Sequence, residues 1–293
     1  MIDEFLQYIQ YEKNYSSHTV LSYHTDLIQF CDFLETAPAE FPYSVISSDD
    51  IRKWIVYMLS EDVSPRTLSR KMSTLKSYWH FLLVKGYVRN NPTLKIVLPK
   101  TKKALPAFFK ESEMVMALDD TFGAEDFESV RDRLVLEVFY LTGMRRSELM
   151  NLKDNDVDFD ARTIRVLGKR NKERIIPISA ELCGNIKRYI DIRICEVGML
   201  TEFLFVRKNG CQLYVSLLYN IVHNKMSEVS SLHKRSPHVL RHTFATGMLN
   251  GGADINAVKD LLGHSSLAAT QVYTHASFDE LHNIYNQAHP RVK

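Results

Sequence analysis

A stretch of the chain from 236 to 276 gathers residue types that suit phosphodiester chemistry. His238 and Arg241 are three positions apart, so on a helix their side chains project from the same face. A turn follows at His264, and Tyr273 stands nine residues beyond that histidine. An arginine can bind two phosphate oxygens, imidazoles exchange protons near neutral pH, and a phenol can act as a nucleophile. The spacing therefore predicts a site that attacks a phosphodiester.

Other interpretations of these residues fit the sequence less well. His242 follows His238 at a spacing that zinc sites use, but no H-E-x-x-H glutamate or cysteine pair accompanies it, and Arg241 would repel a metal. We therefore expect no metal and no other cofactor. A helical histidine phosphatase would need R-H-G, whereas Thr243 follows His242. Isolated histidines and tyrosines often have only a structural role. The interpretation of these residues as a catalytic site therefore depends on which other side chains the fold places beside them.

The elements that must position these side chains are predicted by hydrophobic periodicity. The basic segment G-K-R-N-K lies between two alternating stretches, which predicts a β-hairpin with a basic tip. A loop T-G-M-R joins two helical segments, and taken alone it could be a helix end followed by a surface cation. The predicted segments are a helix at 131–140 ending at Thr142-Gly143, strands at 163–167 and 174–178, a helix at 180–197, a strand at 203–206 and a helix at 214–226.

Charge is sorted along the chain, although the net charge is only +2. Residues 1–62 carry 3 Lys/Arg and 11 Asp/Glu, whereas residues 63–110 carry 11 Lys/Arg and no acid. A long segment without carboxylates creates a positive local potential, which is the footprint expected of contact with a phosphate backbone. A solvated basic helix followed by a lysine-rich linker is the simpler alternative.

The first third of the chain predicts four helices. Serines that can cap a helix precede the second, third and fourth of these, and Ser64-Pro65 begins the fourth. One face of this fourth helix carries cations and hydroxyls without an acid at i, i+4 spacing, which favours contact with DNA over ordinary exposure to solvent. The predicted DNA-contacting residues of the helix are Arg66, Ser69, Arg70, Lys71 and Lys76.

A basic segment at 97–106, V-L-P-K-T-K-K-A-L-P, contains two prolines and has no strong periodicity, which predicts a linker. We therefore expect a helical domain at 1–98, a linker at 99–107 and a second domain at 108–293. The linker lysines and two residues of the hairpin tip are further predicted DNA contacts: Lys100, Lys102, Lys103, Arg170 and Lys172.

Composition excludes several classes of protein. The hydrophobic content of 45% and charged content of 25% are ordinary for a globular protein, and 293 residues suggest two domains. No apolar run is long enough to cross a membrane, and the first residues do not have the pattern of a signal peptide. The four cysteines are scattered without a C-x-x-C pair, so we expect reduced thiols and a cytoplasmic location.

These motifs together resemble the tyrosine recombinases, or phage integrases, and within them the bacterial Xer recombinases. The resemblance rests on H-x-x-R at 238–241, L-L-G-H-S around His264, the following Tyr273, T-G-M-R-R-S-E-L around Arg145 and the turn G-K-R-N-K-E-R around Lys169. It spans essentially the whole chain. It implies a mainly α fold with a small β-sheet, in which a SAM-like four-helix DNA-binding domain and a mixed α/β catalytic domain form a C-shaped clamp on DNA.

The resemblance also assigns roles to six residues. Tyr273 attacks the phosphate and forms a 3′-phosphotyrosyl bond, which releases a 5′ hydroxyl. His238 accepts the tyrosine proton, and Lys169 protonates the departing oxygen, although the basic turn could instead contact phosphate only. The remaining three stabilise the charge of the pentacoordinate phosphate: Arg145, Arg241 and His264. The implied strand exchange proceeds through a Holliday junction and needs neither metal nor ATP.

The implied partners are a double-stranded DNA recombination site and further protomers. The resemblance implies a homo- or hetero-tetramer on DNA with a paralogous recombinase, and a DNA translocase as activator. An apolar stripe at helical spacing runs through Phe278, Leu281, Ile284 and Tyr285, and Xer recombinases donate such a C-terminal helix to a neighbour. We therefore expect this helix to dock in trans on DNA. The implied cellular role is resolution of chromosome dimers for segregation at cell division.

Three alternatives stay open. A mobile-element integrase shares the chemistry but often carries an additional N-terminal arm-binding domain, whereas this chain leads almost directly into the helical domain. A type IB topoisomerase shares the chemistry but not the turn motifs around His264. A DNA-binding protein that has lost catalysis should lack at least one of the six side chains, and all six are present.

Overall fold

The computed structural model describes residues 1–98, 107–119, 126–168, 173–198, 201–263, 284–285 and 287–291. The chain divides into two compact units, Met1–Ala104 and Leu105–Lys293. Both are built mainly from helices, and the only sheet among the described residues is a small one in the second unit. None of the described helices combines the length and the apolar character needed to cross a membrane.

The described residues of the first unit, 1–98, form four α-helices with the serine caps that the sequence predicts. Ser16, Ser47 and Ser64 each accept a hydrogen bond from a backbone N–H in the first turn of the helix that follows. Aromatic rings fill the core, and Phe30 lies with its ring centre 4.8 Å from that of Trp54. The helices are α1 (Ile2–Gln7, continued by a π-helical turn at Tyr8–Glu12), α2 (Ser17–Phe33), α3 (Ser48–Ser60) and α4 (Pro65–Val84), with 3₁₀ turns at Pro38–Glu40 and Pro92–Lys95.

The second unit surrounds a central helix, α6, which is buried along its C-terminal half and packs against α8, α9 and α10. The predicted hairpin is confirmed, and a short first strand that the sequence did not predict completes an antiparallel sheet in the order β1-β2-β3. Its elements are α5 (Glu111–Asp119), α6 (Phe127–Thr142), α7 (Arg146–Met150), β1 (Val157–Asp158), β2 (Thr163–Leu167), β3 (Glu173–Pro177), α8 (Ala180–Val197), α9 (Val215–Val229), α10 (Pro237–Asn250) and α11 (Ile255–Leu262), with a 3₁₀ turn at Asp154–Asp156.

The prediction of a strand at 203–206 is wrong. Among the described residues its only β-type pairing is an isolated bridge between Val206 and Gln212. The carbonyl oxygens of Phe203 and Leu204 instead accept from Arg193 Nη1, at 3.2 Å and 2.8 Å. Residues 204–206 are apolar because they are completely buried in the core. Arg193 binds the carbonyls of Phe203 and Leu204, and the Leu204 N–H donates to the Leu152 carbonyl, so these backbone groups have partners without a strand.

The described part of the C-terminal segment packs on the second unit of its own chain. Tyr285, Ala288 and His289 are at most 2% exposed, and they contact apolar side chains of α10 and α11. The His289 ring lies 5.2 Å from the ring of Tyr140 in α6. In this single chain Tyr285 therefore docks in cis, so docking in trans would first require its removal from this core. Phe278 and Leu281 lie outside the described residues.

Gly251 provides a test of this docking. A Cβ at Gly251 would lie 2.0 Å from the Ala288 carbonyl oxygen, a backbone atom that cannot rotate away, whereas a Cβ at Gly247 would lie at an ordinary 3.4 Å from Pro290. We expect Gly251→Ala to displace residues 287–291 and to lower the free energy of unfolding by roughly 1–3 kcal/mol. Gly247→Ala should leave stability unchanged or raise it by up to about 1 kcal/mol, because alanine favours helix.

The measurement is urea unfolding combined with backbone hydrogen exchange of the C-terminal peptide. Faster exchange of residues 287–291 in Gly251→Ala, but not in Gly247→Ala, is the expected result. Equal protection of that peptide in both variants would contradict docking of the segment against Gly251.

Candidate active site

Three arginine side chains converge on the C-terminal end of α11. They come from separate elements: the loop before α7, strand β3 and helix α10. The last carbonyl groups of a helix lack partners within the helix, and its C-terminus attracts cations. The guanidinium groups satisfy these carbonyls directly. The pairs are Arg174 Nε to Leu261 O at 2.8 Å, Arg241 Nη2 to Leu262 O at 2.6 Å and Arg145 Nη2 to Gly263 O at 2.7 Å.

The backbone conformation at position 143 explains why a glycine stands two residues before Arg145. It ends α6 with a φ of +58°, a conformation that favours glycine, and its carbonyl accepts from Arg241 Nη1 at 2.6 Å. A Cβ there would lie 2.4 Å from Phe244 Cδ1. The T-G-M-R loop is thus a helix end, but Arg145 is more than a surface cation, because its side chain is only 30% exposed and is held by fixed acceptors.

Glu148 holds two of the arginines in place. It is 2% exposed at the side chain and accepts from the Arg145 backbone N–H at 2.7 Å and from Arg145 Nη1 at 2.8 Å. Arg174 adds two parallel bonds to the same carboxylate, both at 2.8 Å. Burial alone would raise the pKa of Glu148, but these donors, with Arg174 foremost, lower it to about 2. Glu148 is therefore a permanent anion among the arginines.

His238 and Arg241 lie one turn apart on α10, as the sequence predicts. Burial lowers the pKa of His238, and the nearby charges of Arg146, Arg241 and Lys234 lower it further. The imidazole is consequently neutral at pH 7 and able to accept a proton. Burial and the neighbouring Arg145 lower the pKa of Arg241 to about 10, so this guanidinium remains charged at pH 7.

The structure brings together part of the predicted site. Arg145 and Arg241 meet at the turn around Gly263, and His238 precedes Arg241 on the same helix. His264 directly follows Gly263 in sequence, but its placement lies outside the described residues. The same holds for Lys169, Tyr273, Arg170, Lys172, Lys100, Lys102 and Lys103.

No cluster of His, Cys, Asp and Glu suited to a metal ion occurs within the described part of the chain. The His242 ring lies 6.3 Å from the ring of Phe108, and those rings face each other edge-on. The described residues therefore offer no donor set to which a metal could be assigned.

Sequence reasoning did not identify Glu148 and Arg174 as parts of the site. Glu148 stands three residues after Arg145, the spacing at which a side chain can reach back to the backbone N–H before a helix. That signal was available in the sequence. Arg174 gave none, because a strand arginine two residues beyond a basic turn is indistinguishable from an exposed cation until β3 is placed beside α11.

Comparison with known proteins decides the family. Residues 109–280 match the phage integrase family, and residues 2–86 match the N-terminal SAM-like domain of phage integrases. The chain belongs to the phage integrase family of tyrosine recombinases. It is accordingly an enzyme that breaks and rejoins DNA.

Relatives similar over nearly the full length include tyrosine recombinases named XerC. The protein of Staphylococcus carnosus (strain TM300) is 39% identical over 297 residues, with 99% of this chain and 97% of that one covered. The protein of Chlorobaculum tepidum is 34% identical over 316 residues, with 99% and 94% covered. The chain is thus similar to these two proteins along nearly its whole length.

Two solved structures share the fold. The Tn1549 transposon integrase in complex with circular intermediate DNA is 24% identical, with a TM-score of 0.70 and coverage of 95% of this chain and 96% of that one. The XerH site-specific recombinase bound to difH substrate is 21% identical, with a TM-score of 0.69 and coverage of 98% and 84%. At this identity the likeness establishes the architecture of both units.

The SAM-like unit of this recombinase displays the predicted polar face of α4. Arg66, Ser69, Arg70 and Lys76 are all exposed on it. Arg70 is already engaged, since it donates to Ser22 Oγ at 2.6 Å and pairs with the buried Asp26 of α2.

Lys71 corrects the prediction for this face, because its side chain is only 8% exposed. Its Nζ lies 3.2 Å from the Asp26 carboxylate, donates to Gln29 and lies 5.9 Å from the centre of the Trp54 ring. Lys71 therefore neutralises a buried acid in place of contacting phosphate. That acid belongs to α2, so the i, i+4 pattern of α4 could not reveal it.

Proposed function

We propose that this enzyme is a site-specific recombinase that exchanges DNA strands through a 3′-phosphotyrosyl intermediate and a Holliday junction, and that it resolves chromosome dimers before cell division. The observation that carries the proposal is the convergence of Arg145 and Arg241 on the turn that immediately precedes His264. Full-length similarity to XerC proteins supports it further.

The proposed chemistry assigns one step to each side chain. The Tyr273 oxygen attacks phosphorus as His238 takes its proton, and the bond from phosphorus to the 5′ oxygen breaks. Lys169 protonates that oxygen, which leaves as a 5′ hydroxyl. Arg145, Arg241 and His264 bind the phosphate oxygens on which charge develops. Attack by a 5′ hydroxyl from a partner strand reverses these steps, so no bond energy is lost.

The arginine geometry suits this role because the guanidinium groups are held before DNA arrives. Arg145 and Arg241 are each anchored by at least two hydrogen bonds to groups of the protein. Donors fixed in advance stabilise a transition state without a cost of reorganisation. We further propose that the active form is a homo- or hetero-tetramer on DNA, with a paralogous recombinase as second protomer and a DNA translocase as activator.

The site of action can be found by capture from sheared genomic DNA of the source organism. Denaturation after incubation retains only DNA that is covalently attached to the protein, and sequencing then locates it. The proposal predicts enrichment of one short duplex in the region where replication ends. Enrichment at the ends of a mobile element would instead identify an integrase of that element. DNA that the protein retains before denaturation but releases completely after it would identify a binding protein.

DNA affinity should depend on the exposed cations of α4. We expect the double variant Arg66→Glu/Lys76→Glu to weaken binding to every duplex tested and to reduce the slope of log K against log salt by about 0.9 for each phosphate that the variant no longer neutralises. The matched control is Arg52→Glu/Lys53→Glu, which changes the net charge equally on α3. The measurement is a salt titration of fluorescence anisotropy.

The control double variant should retain the wild-type slope. A loss of affinity for one sequence only would show that Arg66 and Lys76 contact bases, and equal losses in both double variants would show an effect of net charge alone.

A further inference from the structure

Arg174 connects three elements of the active-site region. It is the second residue of β3, two positions after residue 172, and is paired with Val166 of β2. Its guanidinium uses three nitrogens at once: Nη1 and Nη2 bind the Glu148 carboxylate, and Nε binds the Leu261 carbonyl, all at 2.8 Å. The side chain is 11% exposed. A single arginine thus ties the hairpin to α7 and to the end of α11.

The backbone at Gly263 packs closely against the Arg174 side chain. Gly263 adopts a φ of +63°, and a Cβ there would lie 3.2 Å from both Cδ and Nη1 of Arg174. The backbone that leads into His264 therefore lies directly against the arginine. Lysine could supply the charge at position 174 but not the three donors in one plane.

Glu148 transmits the position of Arg174 to Arg145. The same Oε1 atom accepts from Arg174 Nη1 and Arg145 Nη1, each at 2.8 Å. The charged groups that face Glu148 among the described residues are Arg145 before α7, Arg174 on β3 and Arg241 on α10. Arg174 contributes the largest share of the stabilisation of that carboxylate.

We propose that Arg174 is a positioning residue: it holds Glu148, and through it Arg145, and it fixes β3 to the C-terminal end of α11. This inference rests on the proposed strand-exchange chemistry. It assigns to Arg174 no contact with DNA.

Protonation of Glu148 provides a readout specific to this role. In the wild type the pKa of Glu148 lies well below its ordinary value, so the carboxylate stays charged until the pH approaches about 2. Burial raises the pKa of Glu148, and the hydrogen bonds that the carboxylate accepts lower it. Removal of Arg174 takes away two of these hydrogen bonds, so the pKa of Glu148 rises. Glu148 then takes up a proton at a higher pH and loses its ion pair with Arg145.

The experiment measures the rate of covalent complex formation against pH with the duplex recovered from the genomic capture. We expect Arg174→Gln to be roughly tenfold to 100-fold slower at neutral pH, the cost of a small misplacement of reacting groups. Its acid limb should be displaced to higher pH, because protonation of Glu148 then adds to that of His238, the proposed proton acceptor, which sets the limb in the wild type. Arg174→Lys should restore the position of this acid limb but only part of the rate.

Arg165→Gln is the matched control. Arg165 lies on the neighbouring strand β2, with a side chain that is 56% exposed and 3.4 Å from Asp156. It should keep the wild-type pH profile. The double variant Glu148→Gln/Arg174→Gln lacks the carboxyl group that titrates, so its acid limb should return to the wild-type position.

An unchanged acid limb in Arg174→Gln, or a displaced limb that persists in the double variant, would overturn the inference. If Arg174→Gln does not fold, the decision rests on Arg174→Lys: a lowered rate with a normal melting temperature supports the inference, and a wild-type rate overturns it. Absence of any covalent complex with the wild type would overturn the proposed function, whereas a wild-type complex together with an unchanged acid limb in Arg174→Gln would overturn this inference alone.

Discussion

Replacing Arg241 by alanine is expected to lower the rate of covalent complex formation by at least about 10²–10³-fold, the typical loss when one donor to a developing oxyanion is removed. Arg241 is buried enough for its pKa to fall to about 10, yet it remains charged at pH 7. A charge in such a poorly solvated position acts on a phosphate more strongly than it would in water. Single-turnover cleavage of a nicked duplex measures the effect.

The control for this prediction is stability, because Arg241 also binds the carbonyls of Gly143 and Leu262. Arg241→Lys retains the cation but cannot reach both carbonyls and a phosphate together, so it should be slow while its melting temperature stays closer to that of the wild type. A well-folded Arg241→Ala protein that cleaves at the wild-type rate would remove Arg241 from the active site.

Tyr273→Phe is expected to abolish covalent attachment to DNA while leaving affinity close to normal. The phenol oxygen is the atom that forms the proposed linkage, whereas affinity comes from phosphate contacts distributed over the protein. Tyr285 is not a competing nucleophile, because it is completely buried and burial raises its pKa well above the ordinary value of a tyrosine. Denaturing gel electrophoresis and anisotropy together measure attachment and affinity.

Tyr214→Phe serves as the control, since Tyr214 directly precedes α9, is 50% exposed and has the Arg207 guanidinium over its ring. This variant should form the covalent complex normally. Trapping by Tyr273→Phe together with loss of trapping in Tyr214→Phe would assign the nucleophile to Tyr214 and contradict the proposed site.

The elements whose signals are local could be predicted from the sequence. Ser47 caps α3 and exchanges hydrogen bonds with Asp50, and the alternating residues flanking the basic tip form β2 and β3. Such features depend on neighbours a few positions away, so the sequence contains the whole cause. The pairing of H-x-x-R on one face of α10 belongs to the same class.

The features that failed or were missed depend on distant partners. Lys71 resembles a surface cation until Asp26 of α2 lies beside it, and 203–206 resembles a strand until Arg193 occupies its carbonyls. The role of Arg174 can be recognised only when β3 is placed beside the end of α11, where Arg174 binds the Leu261 carbonyl. In each case a long-range hydrogen bond decided the role of a residue whose type alone was ambiguous.

The most direct test of the central claim is the polarity of the covalent bond on a strand labelled at either end. The wild-type protein is incubated with the recovered duplex, nicked near the cleavage site so that the short product diffuses away, in EDTA and without ATP. The proposed function predicts that the protein becomes attached to the 3′ phosphate of the cut strand, that the released short product carries a free 5′ hydroxyl, and that peptide mapping places the DNA on Tyr273. Attachment to a 5′ phosphate, attachment to another residue, or cleavage only after addition of a divalent metal would contradict it.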